Sequence, residues 1–334
     1  MTLAPGRALR AVFGEVIAEM ARDDPRILVL DGDVASSSGA DSFDAAMPDR
    51  FIQTGIAEQN MLGVAAGLAS VGFVPIASGF ACFVVGRAFD SIRVLIDQPR
   101  LNVKIAGGYT GMLTGMAGKT HQMLNDVALM RTLPNMTILA PADEREAAGA
   151  LRAMIAHDGP VYIQLTREAS PILFDTDPGF RIGPAVPIRS GTDITLVSTS
   201  VQTTRTLAAA EILAAAGIDA AVLHVPTIKP LDGDAIVAAA RSTGRIAVVE
   251  EHTVVGGLGS AVAELLSERH PVPVKRLGIQ DRYGESGPNE PLLHKYGLSA
   301  AAVAADVRAW LVASQDAAEG LVSEPRSGMS AWRS

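Results

Sequence analysis

The chain alternates between short aliphatic runs and segments with the hydrophobic spacing of amphipathic helices. In residues 7–21, apolar side chains recur three or four positions apart, which predicts a helix with one broad buried face. The run Ile27-Leu28-Val29-Leu30 is continuous and aliphatic, which predicts a buried strand that ends in Asp31-Gly32-Asp33. The same pattern predicts strands at 72–77, 102–106, 136–140 and 160–165, and helices at 58–70, 84–97, 123–132 and 142–157. Such alternation favours right-handed crossovers and a mainly parallel sheet.

Proline, glycine and aspartate interrupt this rhythm over 171–192, which indicates a connection between two domains. A second α/β unit follows, with strands predicted near 193–198, 219–224, 245–250 and 273–277. After about residue 316 the chain has little apolar surface to bury, which predicts disorder. The predicted organisation is a first domain over 1–178, a linker over 179–192, a smaller α/β domain over 193–316 and a disordered tail over 317–334.

Composition narrows the class of protein. Apolar residues make up 48% of the chain but aromatic residues only 4%, so the cores are built mainly from aliphatic side chains, as in buried parallel strands. The net charge of −8 and the absence of a Lys/Arg-rich run argue against a nucleic-acid partner. No apolar run approaches the ~18 residues of a membrane span, and no signal-peptide pattern opens the sequence. We expect a cytoplasmic protein without internal disulfides, since Cys82 is the single cysteine.

Four segments at the ends of predicted strands carry the candidate chemistry. Open α/β sheets bind ligands at the carboxyl ends of their strands, so these segments are expected to meet at one edge. They are Gly32-Asp33, Gly55-Ile56-Ala57-Glu58-Gln59-Asn60, Gly79-Phe80-Ala81-Cys82-Phe83 and the stretch from Gly107 to His121-Gln122. Further motifs follow at 133–143, at Leu165-Thr166-Arg167, at Val249-Glu250-Glu251-His252, at Gly256-Gly257-Leu258-Gly259-Ser260 and at Tyr283-Gly284-Glu285-Ser286-Gly287. Together and in this order, over about residues 10–310, they resemble transketolases and deoxyxylulose-phosphate synthases.

The resemblance implies a fold, a cofactor and a central residue. The fold is a thiamine-diphosphate-enzyme pyrimidine domain, with a parallel sheet and helices on both faces, followed by a smaller transketolase C-terminal-like α/β domain. In such enzymes a glutamate at the start of a helix contacts N1′ of the cofactor's aminopyrimidine and manages the proton there, and Glu58 matches it. The alternative is that Glu58 only complements the positive end of a helix dipole.

Other residues match the family's site one by one. Phe80 and Phe83 match aromatic residues that pack against the aminopyrimidine ring, with ordinary core packing as the alternative. Asp33 matches an acid near the thiazolium ring, although a turn or helix cap would also explain it. His121 matches a loop histidine that approaches the ketose hydroxyls, which makes it a catalytic candidate beside Glu58.

The substrate end combines a match with departures. Arg167 matches an arginine that binds the substrate phosphate, a contact that suits a bidentate guanidinium. Arg87 is a second phosphate candidate, or else a solvated helix residue. Tyr109 stands where transketolases carry a phosphate-binding histidine, and Ala117 stands where they carry an acid that binds the acceptor's C2 hydroxyl. Lys119 is a further candidate for an anion, or else points to solvent.

The diphosphate site of the family is missing from the sequence. Thiamine enzymes hold the diphosphate through Mg²⁺ with a Gly-Asp-Gly motif, and here Asp31-Gly32-Asp33 and Asp232-Gly233-Asp234 have the reversed order. No cluster of His, Cys and Asp has metal-ligand spacing either. The resemblance therefore implies an N-terminal transketolase-like partner subunit that carries Gly-Asp-Gly and most of the Mg²⁺ site, in an α₂β₂ assembly.

The leading hypothesis is the C-terminal subunit of a transketolase that transfers a two-carbon ketol unit between phosphosugars, possible substrates including unusual ones such as apulose 4-phosphate. A 2-oxo acid dehydrogenase beta subunit shares Gly-Ile-Ala-Glu-Gln, but Thr120-His121-Gln122 favours the transketolase type. Half of a deoxyxylulose-phosphate synthase stays open, although Thr110 replaces that family's loop arginine. A regulatory module that kept the fold without catalysis is the alternative from a different class.

Overall fold

The computed structural model describes residues 3–176 and 178–323, with side chains described as far as Ser314. The strands are β1 (Ile27–Asp31), β2 (Phe51–Gln53), β3 (Val74–Phe80), β4 (Lys104–Gly108), β5 (Thr137–Leu139), β6 (Val161–Leu165), β7 (Val186–Arg189), β8 (Ile194–Ser198), β9 (Ala220–His224), β10 (Thr227–Lys229), β11 (Ile246–Thr253) and β12 (Val274–Ile279). The helices are α1 (Leu9–Asp23), α2 (Ala35–Ser38), α3 (Asp41–Ala46), α4 (Glu58–Ser70), α5 (Phe89–Ser91), α6 (Asp126–Arg131), α7 (Glu144–Ala156), α8 (Gln202–Ala215), α9 (Gly233–Thr243), α10 (Leu258–Arg269), α11 (Asn289–Lys295) and α12 (Ala300–Ser323).

The strands form two sheets, which confirms the predicted α/β class. The first has the order β10-β5-β6-β4-β3-β1-β2 and the second the order β12-β11-β8-β9-β7. All neighbouring strands are parallel except β10 beside β5 and β7 beside β9. The strands β1, β4 and β6 are buried along their whole length, as the continuous aliphatic runs predict. Because β4, β3, β1 and β2 are consecutive parallel neighbours, their carboxyl ends bring the four candidate segments to one edge.

The chain differs from the sequence prediction where pairing depends on distant residues. The predicted linker 179–192 contains β7, which forms the antiparallel edge of the second sheet. The strand β10 lies within the predicted second domain but extends the first sheet through β5. Of the tail predicted to be disordered, residues 317–323 continue helix α12 through Gly320, and residues 324–334 lie outside the described residues.

The predicted helix 84–97 is present with a different geometry. It consists of two π-helical stretches, Cys82–Arg87 and Ile92–Asp97, on either side of α5. Wide π turns inside helices often occur at functional sites because they rotate side chains out of the regular helical register. Here the first stretch directly follows Phe80 at the end of β3.

Two neighbouring buried acids of the second unit accept backbone hydrogen bonds, and one of them, Glu251, joins this unit to the first. Glu251 accepts hydrogen bonds from the backbone N–H groups of Met112 (2.7 Å) and Leu113 (3.1 Å), in the loop after β4. Glu250 accepts from the N–H groups of Leu258 (2.7 Å) and Gly259 (2.9 Å) at the start of α10. Burial raises the pKa of both carboxyl groups. The Val249-Glu250-Glu251-His252 motif therefore orients the loop that leads to His121.

One stretch of the described residues, Asn289–Ser314, is long and apolar enough to cross a membrane by length and composition. It comprises α11 and the first part of α12, separated by a turn with Gly297 at a φ of 77°. In α12, Val303, Val307 and Leu311 are buried in the core of the second sheet. One face of α12 therefore packs within this unit.

A buried lysine near the amino end of β4 provides a test of folding energetics. Lys104 is fully buried, and its Nζ donates to the carbonyls of His157 (2.6 Å) and Gly159 (2.8 Å). Burial lowers the pKa of Lys104 to about 7 from 10.5. Above this pKa the folded protein has released a proton that the unfolded chain still binds, so its free energy of unfolding increases with pH until the pKa of the unfolded chain is reached.

We therefore expect the stability of the protein relative to Lys104→Met to rise by about 2 kcal/mol between pH 7 and about pH 9. The measurement is urea unfolding of both proteins across this range. A difference in unfolding free energy that does not change with pH would show that Lys104 titrates normally in the folded state.

Candidate functional site

Glu58 is a buried carboxylate at the first position of α4. It is 3% exposed. The N-cap residue of α4 is Ala57, whose side chain makes no capping hydrogen bond. The turn after β1 packs against it, since a Cβ on Gly32 would lie 3.8 Å from Glu58 Cγ. Within the described residues, Arg87 is the one side chain that donates a hydrogen bond to it, from Nη1 to Oε2 at 2.6 Å. Glu58 is thus buried itself and has one partly exposed side-chain partner.

Four aromatic rings form a cluster beside this carboxylate. Phe80 ends β3, and its ring centroid lies 6.1 Å from that of Phe83 in the following π turn. Tyr109 follows β4 and packs closely on Phe80, with centroids 4.0 Å apart. The backbone of Tyr109 has a φ of 60°, a costly left-handed conformation for a bulky residue that is common at binding sites. Both phenylalanines are only partly buried, so part of the cluster is open to a ligand.

His121 joins the cluster from the long loop between β4 and α6. Its ring lies 5.9 Å from Phe80 and 5.4 Å from Phe83, with the ring planes steeply inclined. Nδ1 lies 2.9 Å from the hydroxyl of Thr120. The loop is fixed at its far end by Asp126, which accepts from the hydroxyl of Tyr162 at 2.6 Å. The histidine is therefore held near the open side of the rings while its edge remains accessible.

Two guanidinium groups flank Tyr109. Arg167, just beyond β6, has its Cζ 5.3 Å from the tyrosine ring centroid, and Arg10 in α1 has its Cζ at 6.0 Å. Arg10 donates to backbone carbonyls, including that of Arg167 at 3.3 Å and that of Ser37 at 2.8 Å. Arg10 has no salt bridge to a described carboxylate, and the Arg167 Nε lies 3.9 Å from Glu168. The arrangement leaves positive charge available to an anion.

Arg10 was missed by sequence reasoning. A cation in the first turn of a helix opposes the helix dipole and is therefore a weak signal that the residue has another role. That signal does not identify a partner, because the contact with Tyr109 and Arg167 joins residues that are distant in sequence.

The remaining candidates are less closely associated with the rings. Asp33 is exposed at a φ of 68°, and its N–H donates to Gln53 at 3.0 Å. Asp31 caps the turn by accepting from Val34 N–H at 2.7 Å.

Lys119 is exposed and lines a neighbouring cleft of about 680 Å³ with Cys82, Arg282 and Tyr283. Burial raises the pKa of Cys82 to about 11, which leaves a neutral thiol.

The chemistry of the site fits an aminopyrimidine and does not fit a metal. A buried carboxylate can exchange a proton with a ring nitrogen, and partly exposed aromatic faces can stack on a planar heterocycle. In the part of the chain that the structure describes, no group of three or more His, Cys, Asp or Glu side chains could hold a metal ion. A diphosphate with Mg²⁺ would need ligands from elsewhere.

Two family models match the chain in sequence order. Residues 6–171 match the pyrimidine binding domain of transketolase, and residues 183–303 match the transketolase C-terminal domain. Both matches agree with the two units of the structure.

Similar proteins include subunits of divided transketolases. The 6-deoxy-6-sulfo-D-fructose transketolase subunit from Clostridium sp. (strain MSTE9) is 40% identical over 292 residues, which cover 87% of this chain and 91% of that protein. A subunit of the apulose-4-phosphate transketolase from Phocaeicola vulgatus is 37% identical over 292 residues, covering 87% and 93%. A solved structure described as a split gene transketolase, inactive beta4 tetramer, superposes with a TM-score of 0.85 at 45% identity, covering 91% and 98%. The chain therefore belongs to the transketolase family, as the C-terminal subunit of a thiamine-diphosphate-dependent transketolase-type enzyme that needs a partner chain.

Proposed function

We propose that this subunit forms the pyrimidine and substrate side of a site that transfers a two-carbon ketol unit between phosphosugars. The observation that carries the proposal is the grouping of Glu58, Phe80, Phe83 and His121 at one sheet edge, beside the two guanidinium groups at Tyr109. This arrangement combines a proton-transfer group, a stacking surface and an anion-binding end.

Each residue has a defined task in this proposal. Thiamine diphosphate, when bound, supplies the carbon chemistry at its thiazolium ring. Glu58 holds and exchanges a proton at N1′ of the aminopyrimidine, which its burial and its position at a helix start make possible. Phe80 and Phe83 pack against the aminopyrimidine and exclude water from Glu58. Asp33, on the turn that touches Glu58, faces the thiazolium side of the site.

The substrate lies on the side of His121 and Tyr109. His121 donates or accepts a hydrogen bond at the ketose hydroxyls. Arg167 binds the terminal phosphate, with Arg10 adding a second guanidinium and Tyr109 holding both in place. Lys119 lies away from Arg167 and Arg10 and lines the neighbouring cleft. Any contact of Lys119 with the substrate would be made there. Arg87 is engaged by Glu58 and is not proposed as a phosphate ligand.

The partner completes the site. We infer that an N-terminal subunit with a Gly-Asp-Gly motif binds the diphosphate and holds Mg²⁺, which requires several oxygen ligands in octahedral geometry. The proposed assembly is an α₂β₂ heterotetramer with sites between the two kinds of subunit. A cytoplasmic location stays a prediction from the sequence.

Ala117 bears on the choice of acceptor. In the structure it is exposed within the helical turn Gly115–Thr120, before His121. Alanine cannot bond the acceptor's C2 hydroxyl as the acid of ordinary transketolases does, and a buried hydroxyl without a partner costs ~1–3 kcal/mol. The relatives described above are named for a sulfonated ketose and for apulose 4-phosphate, so an unusual anionic ketose, apulose 4-phosphate among them, fits this site.

We expect the reconstituted complex to discriminate between acceptor C2 epimers by less than about tenfold, because the group that distinguishes them is missing. The measurement is the rate of ketol transfer from xylulose 5-phosphate to ribose 5-phosphate and to its epimer arabinose 5-phosphate, with dihydroxyacetone phosphate as an acceptor that has no C2 stereocentre.

The control is Ala117→Asp, which should restore preference for one epimer. A strong preference for ribose 5-phosphate in the unmodified complex would mean that another residue replaces the missing acid. A parallel assay with pyruvate and glyceraldehyde 3-phosphate tests the synthase alternative. Turnover confined to pyruvate would overturn the proposed ketol transfer.

A further inference from the structure

Arg87 makes the two contacts that the proposed aminopyrimidine requires. Its Nη1 donates to the Glu58 carboxylate at 2.6 Å. Its guanidinium Cζ also lies 4.6 Å from the ring centroid of Phe83. A planar guanidinium and an aminopyrimidine are both flat groups with N–H donors that stack on aromatic rings. Arg87 thus bonds one oxygen of the Glu58 carboxylate and lies over the face of the Phe83 ring.

The local structure allows Arg87 to reach Glu58 and to leave it again. Arg87 ends the π turn Cys82–Arg87, and its backbone carbonyl accepts from the Gln59 side chain at 3.3 Å, next to Glu58. The side chain of Arg87 is 45% exposed, whereas that of Glu58 is 4% exposed. The carboxylate is therefore fixed and the guanidinium is the movable partner. Its backbone can stay in place while the side chain swings into solvent.

The guanidinium of Arg87 also stands in the space that a stacked aminopyrimidine would need. It bonds Glu58 Oε2 at 2.6 Å and lies over the Phe83 ring, with Cζ 4.6 Å from the ring centroid. An aminopyrimidine packed on Phe83 and bonded to the same carboxylate would overlap the guanidinium. Cofactor binding would therefore have to displace Arg87 from the Phe83 ring and from Glu58 Oε2.

We propose that Arg87 is an internal competitor for the aminopyrimidine site: it pairs with Glu58 and covers Phe83, so the cofactor must displace its side chain to bind. The proposal rests on the proposed function, since it assigns Glu58 and Phe83 to the pyrimidine. If Arg87 competes with the cofactor, its removal should strengthen cofactor binding, whereas removal of a residue that supports the site should weaken it.

The test is the affinity of the reconstituted complex for thiamine diphosphate with Mg²⁺, measured by titration calorimetry without substrate. Arg87→Met retains much of the aliphatic length and removes the charge, and it should tighten binding by about tenfold. Arg87→Lys keeps a cation and should stay close to the unmodified complex. The matched control is Arg93→Met, which removes an exposed arginine paired with Asp90 on the next turns and should leave the affinity unchanged.

A double-mutant cycle separates competition from indirect effects. In a Glu58→Gln background the arginine has no carboxylate to neutralise, so Arg87→Met should give no further tightening. Unchanged or weaker binding by Arg87→Met, or equal tightening in both backgrounds, would overturn the proposal. If the unmodified complex bound no thiamine diphosphate, the proposed function itself would fail, which is a distinct outcome.

Discussion

Glu58→Gln is expected to lower the turnover of the reconstituted complex by about 10²–10⁴-fold, the usual contribution of a positioned proton-transfer group. Glutamine keeps the size of the side chain and can still hydrogen-bond, but it cannot exchange a proton with the pyrimidine. The measurement is steady-state ketol transfer at saturating cofactor. Thermal unfolding and assembly with the partner should change little, since the variant fills the same space.

A matched control uses a second glutamate at a helix start. Glu144 is the first residue of α7, as Glu58 is of α4, and it pairs with Arg7 at 2.7 Å on the surface. Glu144→Gln removes the same charge from the same kind of position and should leave turnover within about twofold, because dipole effects at exposed helix ends are small. If Glu58→Gln kept more than half of normal turnover, its role would be the structural one that Glu144 represents.

The sequence predicts where the candidate side chains lie when local pattern decides the geometry. The predicted helix 58–70 has the bounds of α4. Its apolar periodicity begins directly after a turn in which Gly55 adopts a φ of 69°, a conformation that favours glycine. Phe80 and Phe83 are three positions apart across a strand end, so a following turn of helix brings both to one side. The parallel order of the strands then places both rings near Glu58, so the sequence pattern alone predicts that they lie close together.

What the sequence leaves undetermined depends on contacts between distant residues. The ion pair of Arg87 with Glu58 joins residues on two helical segments, and the π turn that aims the arginine has no clear sequence signature. The contact of Arg10 with Tyr109 joins α1 to the end of β4. In the same way β10 is only three residues long, too short for periodicity to assign it to the first sheet.

Glu251 of the second unit helps to position the candidate site from outside it. Glu251 Oε1 accepts hydrogen bonds from two backbone N–H groups in the loop after β4. Its other oxygen, Oε2, pairs with Arg205. A Cβ on Gly111 would lie 2.4 Å from Glu251 Oε1, so only glycine permits this close approach. The second unit thereby sets the position of the loop that carries His121.

The isolated chain is expected to show no turnover and no tight binding of thiamine diphosphate, and addition of the N-terminal partner should produce both. The contacts that this subunit offers are one carboxylate and two aromatic faces, and each aromatic contact adds only ~0.5–1.5 kcal/mol beyond area burial. The charged diphosphate and its Mg²⁺ find no oxygen cluster among the described residues. Titration calorimetry with thiamine diphosphate and Mg²⁺, on the chain alone and on the mixture, measures the difference.

Thiamine without its diphosphate provides the control for this experiment. If the chain alone recognises only the pyrimidine, thiamine and thiamine diphosphate should bind it with similarly low affinity, and only the diphosphate form should gain from the partner. The gain should also depend on Mg²⁺ and be lost with a chelator if, as proposed, the partner supplies the oxygen ligands for the metal. Tight binding of thiamine diphosphate by this chain alone would mean that it holds a diphosphate site of its own, and the split-site proposal would then be wrong.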